Sequence, residues 1–215
     1  MERPTIPRKH WRILQPVEVA RTLKAFSEEQ AKTAFLVLVV TGIRRGELQA
    51  LRWADIDLVE NVLRVRDSKT EEGVRSIALA PIAAEQLWQW RRRSCFQGEA
   101  ERVFCNQKTG GQYREEHFTD ALRAALAAAK VEGYVRPFHD LRHTAITNDA
   151  AAGSSPIAVM AKAGHATMTT TKRYLHLAGV VFRDEAAALE HRLLGGELST
   201  ELSTDLSEPE STRQT

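Results

Sequence analysis

The chain has 215 residues, 43% of them hydrophobic and 27% charged, which suits one globular domain with or without tails. No apolar run reaches the length of a membrane span, and "MERPTIPRKHW" at the N-terminus has no hydrophobic signal core, so a cytoplasmic protein with no membrane partner is expected. The formal net charge is only +2, but residues 195–215 carry Glu197, Glu201, Asp205, Glu208 and Glu210 against Arg213, a net of −4 that leaves +6 on residues 1–194. A body of that charge is compatible with a polyanionic partner without demanding one. Cys95 and Cys105 have no metal-type spacing and are too few for a disulfide framework.

Residues 1–12 hold Pro4, Pro7 and four basic residues without an apolar period, and read as a basic linker. "QPVEVARTLKAF" predicts a helix with Pro16 at its first position. "SEEQAKTAFLVLVVTG" predicts a second, capped by Ser27 and stopped by Gly42. A short third helix starts near Arg44. The period then changes: "NVLRVRD" and "VRSIALA" read as strands joined by the charged turn "SKTEEG". "APIAAEQLWQWRRR" is helical again, with Trp88 and Trp90 as core or rim packing, and "RVFCNQKTGGQ" reads as a short strand and a glycine turn. "REEHFTDALRAALAAAK", "FHDLRHTAITNDAAAG", "SPIAVMAKAG" and "TMTTTKRYLHL" follow as helices, with Pro156 at a start and Gly153 and Gly164 as stops. "RDEAAALEHRLL" closes the folded part at residue 194. The repeating E-L-S-T tail, 195–215, has too few large apolar residues to offset the entropy of ordering it, and is expected to be disordered. The sum is about nine helices around a small sheet with no βαβ alternation.

Within "PFHDLRHTAITND", His139 and His143 stand four apart on one helical face with Arg142 between them. That spacing holds zinc in H-E-x-x-H peptidases, but Asp140 replaces the glutamate and a guanidinium repels a dication. A metal pair, a phosphate clamp and a solvated face all remain open on the stretch alone. "TGIRRGEL" puts Arg44 just past a glycine break with Glu47 three residues on, within reach of its guanidinium. Lys69 sits at the hairpin tip, and "GHATMTTTKRYL" supplies His165 and Tyr174. Each of these also has a plain structural reading: a capped ion pair, a turn lysine, amphipathic packing.

Taken together, the order R, K, H-x-x-R, G-H, Y, carried by "TGIRRGEL", "HDLRHT" and "AGHATMTTTKRY", resembles the tyrosine recombinase family, the phage-type integrases. The likeness runs from about residue 11 to 192 and includes all six catalytic positions: Arg44, Lys69, His139, Arg142, His165 and Tyr174. It implies an α+β, mostly helical catalytic domain over 13–194, with a small three-stranded antiparallel sheet bearing the lysine. It also implies a site-specific enzyme that cuts and rejoins double-stranded DNA, acting as a homo-tetramer on two recombination sites, nucleoid-associated when bound, with no metal or other cofactor. Family members usually carry a helical core-binding domain before the catalytic one, whereas here only the basic linker precedes residue 13.

The chemistry fits those residue types. Phosphoryl transfer builds charge on the non-bridging oxygens, which Arg44 and Arg142 can clamp bidentately without titrating while His165 adds a hydrogen bond. Tyr174 is expected to be the nucleophile, with His139 accepting its proton, Lys69 protonating the departing 5′ oxygen, Glu47 supporting the clamp and His143 only packing or capping the helix. On this reading "HDLRH" is a phosphate site. The rivals are a type IB topoisomerase-like enzyme, a non-catalytic DNA-binding protein of the same fold, and, least favoured, a zinc hydrolase on His139 and His143.

Overall fold

Helix α2 (Glu29–Thr41) is apolar on nearly every face, and such a helix has to be enclosed. Its Ala31, Ala34, Phe35, Val37 and Leu38 are fully buried, with helices α4 (Pro81–Arg93) and α6 (Pro137–Ala151) packed against it. The structure is a computed structural model and describes residues 11–66, 74–179, 189 and 191–193. The other helices are α1 (Pro16–Ala25), α3 (Arg45–Ala50), α5 (Glu115–Ala128), α7 (Pro156–Ala163) and α8 (Met168–Leu177). Helices α1, α4, α6 and α7 each begin on proline, whose fixed φ suits the first turn and whose missing N–H has no intrahelical partner there. Helix α8 lies against α6 and α7, and α7 against the sheet.

The sheet is antiparallel in the order β1 (Ile56–Asp57), β2 (Val62–Val65), β3 (Arg75–Ala78). Ile56 pairs with Leu63 and Leu63 with Ile77, so one face of all three strands is apolar and buried. The third strand is therefore β1, not "RVFC". Val103, Phe104 and Cys105 are fully buried, and this segment makes only isolated bridges, Arg52 to Arg102 and Cys105 to Gln112. Trp90 is core, its indole N–H donating to Val103 O at 2.7 Å. Trp88 is rim, 46% exposed beneath the Arg92 guanidinium.

Other expectations shift by a residue or two. Helix α2 is capped at Glu28 rather than Ser27. Trp11 and Arg12, expected within the linker, are tied to the domain: Arg12 bonds Glu18 at 2.5 Å and the Glu132 carbonyl at 3.1 Å. Both cysteines are free thiols, Cys95 exposed and Cys105 buried. No described helix is long and apolar enough to cross a membrane. The chain divides into two units, Met1–Gly179 and Val180–Thr215. In the second, Leu189 and residues 191–193 are helical. The rest of the expected last helix, the 195–215 tail, residues 1–10 and the hairpin tip with Lys69 lie outside the described residues.

One turn sets up the site. Gly42 ends α2 in the left-handed conformation (φ +66°), its N–H returning to Leu38 O at 2.9 Å. A Cβ there would stand 3.3 Å from Ala145 Cβ, so glycine lets the end of α2 press against α6. The next turn brings Arg44 to the start of α3, beside Arg142 of α6.

Candidate active site

Arg44 is the N-cap of α3, and its own N–H donates to Glu47 Oε2 at 2.7 Å. The same carboxylate accepts Arg44 Nη1 at 2.9 Å and, bidentately, Arg75 Nη1 and Nη2 at 3.1 and 3.0 Å. Glu47 is buried. Burial alone would raise its carboxyl, but the hydrogen bonds from Arg75 and the Arg44 N–H, with the Arg75 charge, hold it below the usual carboxylate range. A charged acid thus pins two guanidiniums whose mutual repulsion would otherwise separate them. Arg75 also donates through Nε to Lys162 O at 2.7 Å, joining β3 to the end of α7. Sequence reasoning assigned Glu47 to this support but missed Arg75, because an arginine on a short strand reads as solvated.

The remaining anchors are carbonyls at helix C-termini, which lack intrahelical donors and carry partial negative charge. Arg44 Nη2 donates to Gly164 O at 2.7 Å. Arg142 spans the ends of two helices, donating to Gly42 O and, at 2.6 Å, to Ala163 O. Burial pushes the Arg142 guanidinium down to about 10, with the Arg44 charge adding to the shift. It therefore remains a cation at neutral pH. Arg44 and Arg142 each have five side-chain N–H donors, more than these bonds occupy.

Tyr174, on α8, is 3% exposed. Its hydroxyl meets His143 Nδ1 at 2.7 Å, and the His143 ring stacks on Trp11 with centroids 3.9 Å apart. The phenol is thus held by His143 rather than by His139, whose ring lies beyond it at 4.5 Å from the His143 ring. His143 is more than the packing residue expected. The i, i+4 spacing placed both histidines on one face, but only the packing of α8 on α6 decides which ring the tyrosine meets. Burial raises the Tyr174 phenol above its ordinary 10, partly offset by Arg142 and Arg173. His165 stands on the turn between α7 and α8, its ring 5.5 Å from that of Tyr174 and its Nδ1 3.0 Å from Thr171 Oγ1. Arg44, Glu47, Arg142, His165 and Tyr174 therefore converge, His139 lies at the margin, and Lys69 lies outside the described residues between β2 and β3. No three His, Cys, Asp or Glu side chains converge on a metal position among the described residues.

These shifts predict how stability responds to pH. His143 and His165 are each pushed down to about 4, chiefly by burial, with neighbouring His139 acting on the first and the Arg142, Arg44 and Arg75 charges on the second. Both are neutral in the folded state, while in the unfolded chain they titrate near 6.5. The unfolded state therefore binds more protons below that value, and the stabilisation, complete above pH 6.5, is lost as pH falls from about 6.5 towards 4. Denaturant titrations at pH 8, 6 and 5 are expected to show a falling midpoint, with a shallower fall in His143→Phe. A midpoint flat across that window would mean the rings are not buried in neutral form.

A sequence profile of the phage integrase family matches residues 12–179. The tyrosine recombinase XerA of Saccharolobus solfataricus is 28% identical over 184 residues, 81% of this chain and 56% of that protein. A crystal structure of XerA recombinase matches with a TM-score of 0.68 at 23% identity, over 96% of this chain and 67% of that one. The Tn1549 transposon integrase in complex with transposon right end DNA gives 0.67 at 21% identity, over 87% and 67%. At these identities the structures speak for the fold, a tyrosine recombinase catalytic domain. The chain spans about half the length of the curated relatives it matches. With the family profile covering most of its length and this fold beneath it, the chain belongs to the phage integrase family.

Proposed function

We propose that this chain is the strand-cutting and rejoining part of a site-specific DNA recombinase. The observation that carries the reading is the position of Tyr174, ring to ring with His165, in a cluster where Glu47 and helix-end carbonyls hold Arg44 and Arg142. Two guanidiniums and a histidine ring beside one phenol have a direct use in phosphoryl transfer to a hydroxyl. The Tn1549 integrase, a structural neighbour, was solved with DNA, which supports double-stranded DNA as the partner here. A homo-tetramer on two recombination sites follows from the same reading.

Arg44, Arg142 and His165 bind the non-bridging oxygens of the scissile phosphate. Tyr174 Oη bonds to phosphorus as the bond from phosphorus to the 5′ oxygen breaks, leaving a 3′-phosphotyrosine that conserves the bond for rejoining. The phenol proton passes to His143 Nδ1, already 2.7 Å away, in place of the His139 expected from the sequence, and Lys69 protonates the 5′ oxygen. With the phenol above 10 and the imidazole near 4, the proton stays on tyrosine in the resting state. It moves as the new bond to phosphorus forms. His139, beside His143, supports that ring.

The role of Lys69 is tested by the leaving group. Lys69→Ala is expected to cleave ordinary DNA at least about 10²-fold more slowly, and to recover towards the wild-type rate when sulfur replaces the bridging 5′ oxygen, because a thiolate leaves without a proton. Arg44→Ala, which damages charge stabilisation, is not rescued. Equal rescue of both, or of neither, removes Lys69 from the acid role. Relaxation of a supercoiled plasmid lacking target sites would favour a topoisomerase-like enzyme over a recombinase.

A further inference from the structure

The run Thr169, Thr170, Thr171 opens α8, and its three members have different surroundings. Thr169 and Thr170 are exposed, whereas Thr171 is completely buried three residues before Tyr174, on the same helical face. A buried helical threonine usually returns its hydroxyl to the carbonyl four residues back. Here its one hydrogen-bond partner among the described residues is His165 Nδ1, at 3.0 Å. We propose that Thr171 is a positioning residue for the phosphoryl transfer: its O–H donates to Nδ1 of His165, which fixes the neutral ring with its proton on Nε2 and turns that N–H to the phosphate. This rests on the recombinase reading of the site.

The direction of the bond follows from what each atom needs. A neutral imidazole has one donor and one acceptor nitrogen. If Nδ1 carried the proton, Thr171 Oγ1 would accept it, and the hydroxyl hydrogen would be left buried without an acceptor, which is costly. With Thr171 as donor both groups are satisfied. The ring is neutral because burial and three nearby guanidiniums oppose its protonation. Phosphate oxygens only accept, so the opposite tautomer would aim a lone pair at them and lose the hydrogen bond the transition state requires. The ring's position is fixed from the backbone as well: the His165 N–H donates to Met160 O at 3.1 Å, after Gly164 ends α7 with φ +62°.

The test combines ring spectroscopy with kinetics. In protein labelled with ¹⁵N at histidine, and with His165→Gln to assign the signals, wild type at pH 7.5 is expected to show His165 protonated on Nε2 only, with a hydrogen-bonded Nδ1. Thr171→Val keeps the shape and removes the donor. It is expected to move the Nδ1 signal and to slow cleavage of saturating substrate about tenfold, less than outright loss of a donor because the ring remains. DNA binding should be unchanged, and Thr171→Ser should restore the rate to within about threefold, since it restores the hydroxyl. A proton on Nδ1 in wild type, an unchanged rate in Thr171→Val, or a serine variant as slow as the valine one overturns the proposal. Should the valine variant fail to fold, the wild-type spectrum alone decides. Failure of the recombinase reading itself looks different: no adduct from wild type, whatever the ring spectrum shows.

Discussion

Tyr174→Phe is expected to abolish the covalent protein–DNA adduct while leaving a folded protein that still binds DNA. The substitution removes one oxygen and almost no volume from a residue that is 3% exposed. Among the described residues of the cluster the alternatives are poorer: guanidiniums, imidazoles, a carboxylate already committed to Arg44 and Arg75, and the hydroxyl of Thr171, which is completely buried and bonded to His165 Nδ1. The same oxygen is the partner of His143 Nδ1, so the variant leaves a buried ring nitrogen unpaired. It should therefore lose roughly 1–3 kcal/mol of stability. Thermal unfolding and adduct trapping on one preparation separate the two effects. A stable adduct in Tyr174→Phe would transfer the nucleophile to another residue.

Arg142→Lys keeps the charge and loses the fork. Arg142 reaches Gly42 O and Ala163 O at once, which a single ammonium on a flexible stem cannot do while also meeting a phosphate in two places. Cleavage of a nicked suicide substrate should fall about 10²- to 10³-fold, the usual effect of removing one transition-state donor. Because the arginine also bridges the ends of α2 and α7, some loss of stability should accompany it, measurable by denaturant titration. A rate change under about threefold would make Arg142 structural.

Several helix boundaries were legible because they are chemical: Pro16 and Pro156 start two helices, and Gly42 and Gly164 end two in the left-handed conformation, while Pro81 and Pro137 open two more whose starts the sequence reading did not assign to proline. The first strand was not legible, since Ile56 and Asp57 are too few to show a period. In "RVFC" burial stood in for strand character, as its apolar residues fill the core without joining the sheet. Arg44 and Arg142, which the structure brings to neighbouring carbonyls, could be singled out because the motifs that carry them follow one family's order. Their supports could not. Arg75 is recognisable only once β3 lies beside α7, Trp11 only once the segment before α1 covers His143, and Thr171 only once one of three adjacent threonines is buried. The choice of His143 over His139 belongs to the same class, being set by helix packing across 31 residues of sequence.

The central claim, that Tyr174 carries the DNA through its phosphate, is tested most directly by mapping the adduct. A target sequence selected from random DNA, built as a nicked suicide substrate, is incubated with the wild-type chain. The trapped complex is then digested with protease and nuclease and sequenced by mass spectrometry. The predicted result is a nucleotide joined by its 3′ phosphate to Tyr174, in the peptide that follows Arg173. A 5′ linkage, or attachment at any other residue, would contradict the account.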